Sequence, residues 1–234
     1  MPDVELVAVD LGAPAGSLPA LEAFYRERLE LPCAREGERL EVGVAGARLT
    51  FTGSAAQPFH HFALLAPGNR FEAGHAWLAE RVELLPARET SNTVFPFDFW
   101  DALACYFHDP AGNIVELIAH RGLGEAPDAR ADFRGSELLG ISEIGLVTAD
   151  PAGAARVLRD DLGLELWSGA VPTDASGLGF VGRKAHTLIL SMPGRGWMPT
   201  GRPAEPHRVD VALSGAPARA ATLPGAPHRV RRVP

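Results

Sequence analysis

The chain has only two cysteines in 234 residues, Cys33 and Cys105. They lie far apart, each inside a regular segment, which is too little for a disulfide framework or a cysteine-built metal site and fits a reducing compartment. A secretory leader is missing too: Met1-Pro2-Asp3-Val4-Glu5 is acidic, and no apolar window reaches the length needed to span a bilayer. A cytoplasmic protein with no membrane partner is therefore expected. Positive charge is the minority sign, 22 Lys and Arg against 29 Asp and Glu for a formal net charge of −7. That balance argues against nucleic acid, whose backbone is held by Lys and Arg. The one basic cluster, Arg229, Arg231 and Arg232, reads as a solvated tail.

What is present is a repeat. With 46% hydrophobic residues the chain can bury a proper core, and a short apolar run followed by an amphipathic helix recurs along it. The pairs are Leu6 to Leu11 with Ser17 to Leu29, Phe62 to Leu65 with Asn69 to Val82, and Ile144 to Val147 with Pro151 to Leu162. A fourth, degraded copy begins at Val209. Ser17, Asn69 with Glu72, and Asp150 with Pro151 read as helix starts, and Gly163 as a helix end. Strands follow each helix: Arg39 to Val44 turns at Ala45-Gly46 into Ala47 to Thr52, and Cys105 to Phe107 faces Ile114 to Ile118 across Asp109-Pro110-Ala111-Gly112-Asn113. The class is α+β. A boundary falls at Gly122 to Gly135, giving a unit over 1–122 and a second, incomplete one over 136–234.

Two polar residues sit where apolar ones are expected. In Ile114-Val115-Glu116-Leu117-Ile118 side chains alternate between faces, so Glu116 shares its face with Ile114 and Ile118. A carboxylate there needs a proton, a cation or a metal ion, or it must reach the strand's wet edge. His61 likewise shares a face with Ala63 and Leu65, as a hydrogen-bonded core residue or a ligand, while His60 points to the opposite face.

Together with the repeat, these stretches resemble the vicinal oxygen chelate superfamily, the group of glyoxalases, bleomycin-resistance proteins and extradiol dioxygenases. Pro58-Phe59-His60-His61-Phe62-Ala63-Leu64 is similar to the strand opening the second module in that group. The segment from Tyr106 to Ile118 is similar to its closing hairpin, and Ala23-Phe24-Tyr25 with Leu29-Glu30-Leu31 to the end of its first helix. The resemblance implies βαβββ modules forming curved, incomplete mixed β-barrels around a divalent metal ion, iron, zinc, nickel or manganese. It implies His61 and Glu116 as metal ligands, with Glu116 also catalytic. The first strand has no His in Val4 to Leu11, so Glu5 is the expected third ligand, with Asp10 as the substitute in a shifted register, and the fourth position offers only Thr50 or Thr52.

Glu143, in the third module's first strand, reads as structural or interdomain, because no closing hairpin with a Glu follows it. Trp100 and Phe99, with Phe97, and Arg195 and Trp197 in the second half are expected to line a substrate pocket or an interdomain seam. His108 reads as a surface loop residue. The resemblance thus implies a metal-dependent enzyme acting on a small substrate with vicinal oxygens, as an extradiol-type dioxygenase or a glyoxalase-like lyase or isomerase. The alternative is a metal-free small-molecule binding protein of bleomycin-resistance type. The partner is a small molecule in either case, and a homodimer is admissible.

Overall fold

The computed structural model describes residues 4–126 and 132–234, so part of the expected linker lies outside the described residues. Four copies of one unit follow along the chain. The first is β1 (Leu6–Pro14), α1 (Leu18–Ala23), β2 (Cys33–Glu36), β3 (Arg39–Val44) and β4 (Ala47–Ser54). The second is β5 (His61–Ala66), α2 (Phe71–Ala79), β6 (Phe95–Phe97), β7 (Ala102–His108) and β8 (Ile114–His120). The third is β9 (Gly140–Val147), α3 (Pro151–Leu162), β10 (Leu166–Gly169), β11 (Gly179–Arg183) and β12 (His186–Ser191). After a short hairpin, β13 (Gly196–Trp197) and β14 (Arg202–Pro203), the fourth keeps only the strands β15 (Val209–Ser214), β16 (Arg219–Thr222) and β17 (Arg229–Val233).

Local chemistry sets some of these ends. Asp150 accepts a hydrogen bond from the Gly153 amide at 2.8 Å and so caps α3, with Pro151 in its first turn. Gly163 closes the same helix at φ 66°, a left-handed conformation that glycine adopts without strain. Two expected caps differ. Ser17 gives its hydroxyl to the Pro14 carbonyl, and the Asn69 side chain bonds the backbone of Ala126, so neither α1 nor α2 has a side-chain cap.

The units pair in a nested order. One sheet runs β16-β17-β15-β1-β4-β3-β2 and joins the first unit to the fourth. The other runs β10-β11-β12-β9-β5-β8-β7-β6 and joins the second to the third. Both sheets therefore cross the boundary expected between 1–122 and 136–234. The reason is edge pairing: β1 and β5 each have one free side, and β15 and β9 fill those sides antiparallel.

The main core lies between the sheets. Val9, Leu49 and Phe51 from the first sheet meet Phe62, Val115 and Ile144 from the second, with Leu21, Leu78 and Leu158 from the helices. Strand alternation then sends the other face of the second sheet outward, and a separate apolar cluster forms there around Ala63, Ile114, Ile118, Ile189 and Trp197. The matching face of the first sheet is charged. Its groove of about 600 Å³ is lined by Asp10, Arg39, Arg208 and Asp210 among others, with Arg208 on Asp210 at 2.7 Å and Arg39 3.4 Å from Asp10. Among the described residues no helix is long and apolar enough to cross a membrane.

One buried polar link ties the first unit to the second. The Tyr25 hydroxyl donates to Asp109 at 2.9 Å, and Asp109 also accepts from the Ala111 and Asn113 amides and from the Asn113 side chain. Tyr25→Phe removes one of four donors to that carboxyl. It should lower stability by about 1–2 kcal/mol in urea denaturation while leaving the slope unchanged.

Candidate functional site

The apolar cluster on the second sheet encloses a cavity of about 170 Å³. His61 reaches it from β5, Glu116 from β8, Tyr106 from β7 and Glu143 from β9. The register explains the convergence. Ala63 lies opposite Glu116 on one side and opposite Glu143 on the other, so two carboxyls flank a methyl group small enough to leave the space above it open. His61, two residues before Ala63, shares that face. All three polar side chains are buried.

Burial decides their protonation. His61 Nδ1 lies 3.1 Å from the Ile114 carbonyl, which can only accept, so Nδ1 carries the proton and Nε2 keeps its lone pair. Nε2 stands 3.5 Å from Glu116 Oε2. Desolvation lowers the His61 imidazole to about 4, so in this pocket it is neutral near pH 7 and the contact is not an ion pair. Desolvation raises Glu116 well above the ordinary carboxyl value, and the neighbouring Glu143 adds to the shift, while a hydrogen bond from Tyr106 opposes it. Glu143 is raised to about 8 by burial, and its Oε1 has no hydrogen-bond partner.

The walls come from both halves of the chain. Phe97 ends β6, Phe99 and Trp100 follow it, and Leu178 and Phe180 lie at β11. The Trp100 indole donates to Ser168 Oγ at 2.9 Å and meets Phe180 edge-on at 4.5 Å. Arg195 and Trp197 arrive on the β13 hairpin. Trp197 covers His61, with ring centroids 4.8 Å apart, and lies against Gly145, where an added Cβ would come within 2.9 Å of the indole. Glycine at 145 is therefore what lets Trp197 settle over the imidazole.

Several expected residues are placed together here: His61, Glu116, Phe99, Trp100, Arg195 and Trp197. Glu5 is not among them. It is exposed, gives its amide to Ser214 Oγ and faces Arg183 at 3.6 Å. The reason is the nested pairing, which puts β1, the strand that follows Glu5 and contains Asp10, in the other sheet. Glu143, expected to be structural or interdomain, instead lies in the pocket. Pairing explains this as well, because β9 rather than β1 is the neighbour of β5, and a search for the antiparallel partner of β5 was the signal that would have found it. On β12, Ile189 pairs with Gly145 as Glu116 pairs with Ala63, so the position mirroring Glu116 is apolar. Among the described residues no three His, Cys, Asp or Glu side chains already stand close enough together to hold a metal ion.

In sequence, no protein-family model and no curated protein matches the chain. In structure the likeness is clear. Glyoxalase I from Zea mays superposes with a TM-score of 0.58 at 12% identity, covering 98% of this chain and 92% of the plant protein. A candidate dioxygenase from Bacillus subtilis subsp. subtilis str. 168 superposes with a TM-score of 0.60 at 13% identity, covering 97% of this chain and 86% of that one. The chain shares the fold of these two proteins.

The carboxyl shifts carry a sign. Between its ordinary 4.5 and about 8, Glu143 keeps a proton in the folded chain that the unfolded chain has released, so stability falls as pH rises through that window. His61, at about 4 against 6.5, acts oppositely: stability grows as pH rises between those values. Glu143→Gln should therefore flatten the decline in Tm between about pH 6.5 and 8, measured in chelator, and leave the rise at lower pH in place. An unchanged decline would mean that Glu143 is already ionised in the folded chain.

Proposed function

We propose that this chain is a metal-dependent enzyme acting on a small molecule held in the aromatic pocket, with His61 and Glu116 binding a divalent ion and Glu143 joining them by a side-chain turn. The observation that carries this reading is one imidazole and two carboxyls on three neighbouring strands, sharing a buried apolar face. Carboxyls crowded in this way call for protons or a metal ion.

The donors suit an ion. His61 Nε2 is a free lone pair whose ring is fixed by the Nδ1 bond to Ile114, the arrangement that orients metal-binding histidines. Its 3.5 Å separation from Glu116 Oε2 is long for a hydrogen bond and close to the spacing of two donors that share one ion at about 2.1 Å each. The orphaned Glu143 Oε1 is the third donor. Iron, zinc, nickel and manganese all accept such a set. When bound, the ion would polarise two neighbouring substrate oxygens.

The chain's own residues supply the rest. Glu116, at the floor of the cavity, is placed to take a proton from a carbon beside those oxygens and to return it, and Tyr106 steadies its carboxyl. Trp197 and Trp100 exclude water from that exchange. One histidine with two carboxylates departs from the two-His, one-carboxylate pattern of dioxygen-activating iron sites, so a glyoxalase-like lyase or isomerase is favoured over an extradiol-type dioxygenase. Ile189 in the mirror position of Glu116 favours the second reading, a metal-free binding protein of bleomycin-resistance type.

Calorimetric titration of chelator-treated protein with zinc, nickel and manganese separates the two. The parent should take up one ion per chain, and His61→Ala or Glu116→Ala should weaken uptake at least about tenfold. No uptake at millimolar metal, or equal uptake by both variants, replaces the enzyme with the binding protein.

A further inference from the structure

We propose that the pocket's ligand is a compact aromatic carboxylate, a single ring bearing one short acid arm, with the acid held by Arg195. This rests on the reading of the cavity as a ligand site, and does not require a metal ion.

Arg195 is a half-buried guanidinium in an otherwise aromatic wall. Among the described residues it forms no ion pair with a carboxylate. The guanidinium's only hydrogen bond there runs from Nη1 to its neighbour's carbonyl, Gly196, at 2.8 Å. Its Nε is buried with no acceptor, and its plane lies 5.6 Å from the Trp197 ring. A guanidinium cannot shed its charge in a protein, and an unpaired one held away from water is costly. The Arg195 fork lacks a planar, two-oxygen acceptor, and a carboxylate is the group that matches it.

The remaining wall specifies the rest of the ligand. Trp100, Phe180 and Trp197 offer ring faces and edges inside the cavity. At its mouth Phe99 is 73% and Met198 40% exposed, two of the four large apolar side chains left in water among the described residues. A bound ring would cover both. The cavity of about 170 Å³ matches one ring with a short arm, since an apolar cavity of about 150 Å³ accepts benzene. An ion on His61 and Glu116 would sit on the floor, and Arg195 lies on the wall above, so ring and acid can be held at separate points.

The test uses the full chain, with and without zinc, and follows quenching of tryptophan fluorescence by phenylacetate, its neutral analogue 2-phenylethanol, 2-naphthylacetate and acetate. Phenylacetate should bind at least about tenfold more tightly than each of the others. Arg195→Gln should abolish the preference over 2-phenylethanol without lowering Tm, and Arg195→Lys should keep part of it. Equal binding of acid and alcohol, an unchanged preference in Arg195→Gln, or no binding of phenylacetate at millimolar concentration overturns the proposal. Binding that needs zinc and ignores Arg195 places the acid on the ion and also overturns it. Arg195-dependent binding in a protein that takes up no metal supports it while removing the metalloenzyme reading alone.

Discussion

The antiparallel register of β5 against β9 sets Ala63 between Glu116 and Glu143, and the pocket depends on that row. Neighbouring strands lie about 4.8 Å apart, so the two carboxyls rise on either side of a single methyl. A larger residue at 63 would fill the gap and drive them apart, and a one-residue slip of either strand would turn one carboxyl into the core between the sheets. The consequences follow in order: burial beside apolar neighbours, protonation far from the ordinary values, an oxygen on Glu143 with nothing to bond, and an imidazole whose free nitrogen faces the same space.

The fold builds two such faces and has used them differently. On the second sheet the face is lined by rings and closed by the β13 hairpin. On the first sheet the matching face carries Asp10, Arg39, Arg208 and Asp210, which neutralise one another in pairs in a wide, wet groove. Surface pairs of that kind contribute little energy. A shared backbone plan therefore does not dictate a shared chemistry. Small apolar residues such as Ala63 and Gly145, with aromatic side chains above them, make the difference.

Much of this was legible in the sequence, for reasons that also mark where legibility ended. Alternation along Ile114 to Ile118 and His61 to Leu65 correctly placed His61 and Glu116 on apolar faces, because a strand's period is a local property. The clustered aromatics after Phe95 and the Arg195–Trp197 segment were readable from composition. Which strand neighbours which is not local. Glu5 is the expected third ligand because the first strand has no His, yet pairing carries that strand into the other sheet, and Glu143 reads as structural because no hairpin with a Glu follows it, although its strand is the neighbour of β5. Asn69 shows a smaller failure of the same type: its side chain had two possible partners, the start of α2 and the distant Ala126 backbone, and the tertiary one won.

The nested pairing also orders events in time. The sheet holding the pocket is complete once residue 191 has emerged from the ribosome, whereas β1, already beside β4, waits for β15 at Val209–Ser214 to fill its other side, and β15 in turn waits for β17 at Arg229–Val233. Closing a loop of that length around an unfolded chain is entropically slow. Around an inner sheet already formed it is short, because the folded middle holds both ends near one another. The cavity is thus the first part of the protein that can be whole, and the outer sheet closes onto a finished interior as the last strands are made.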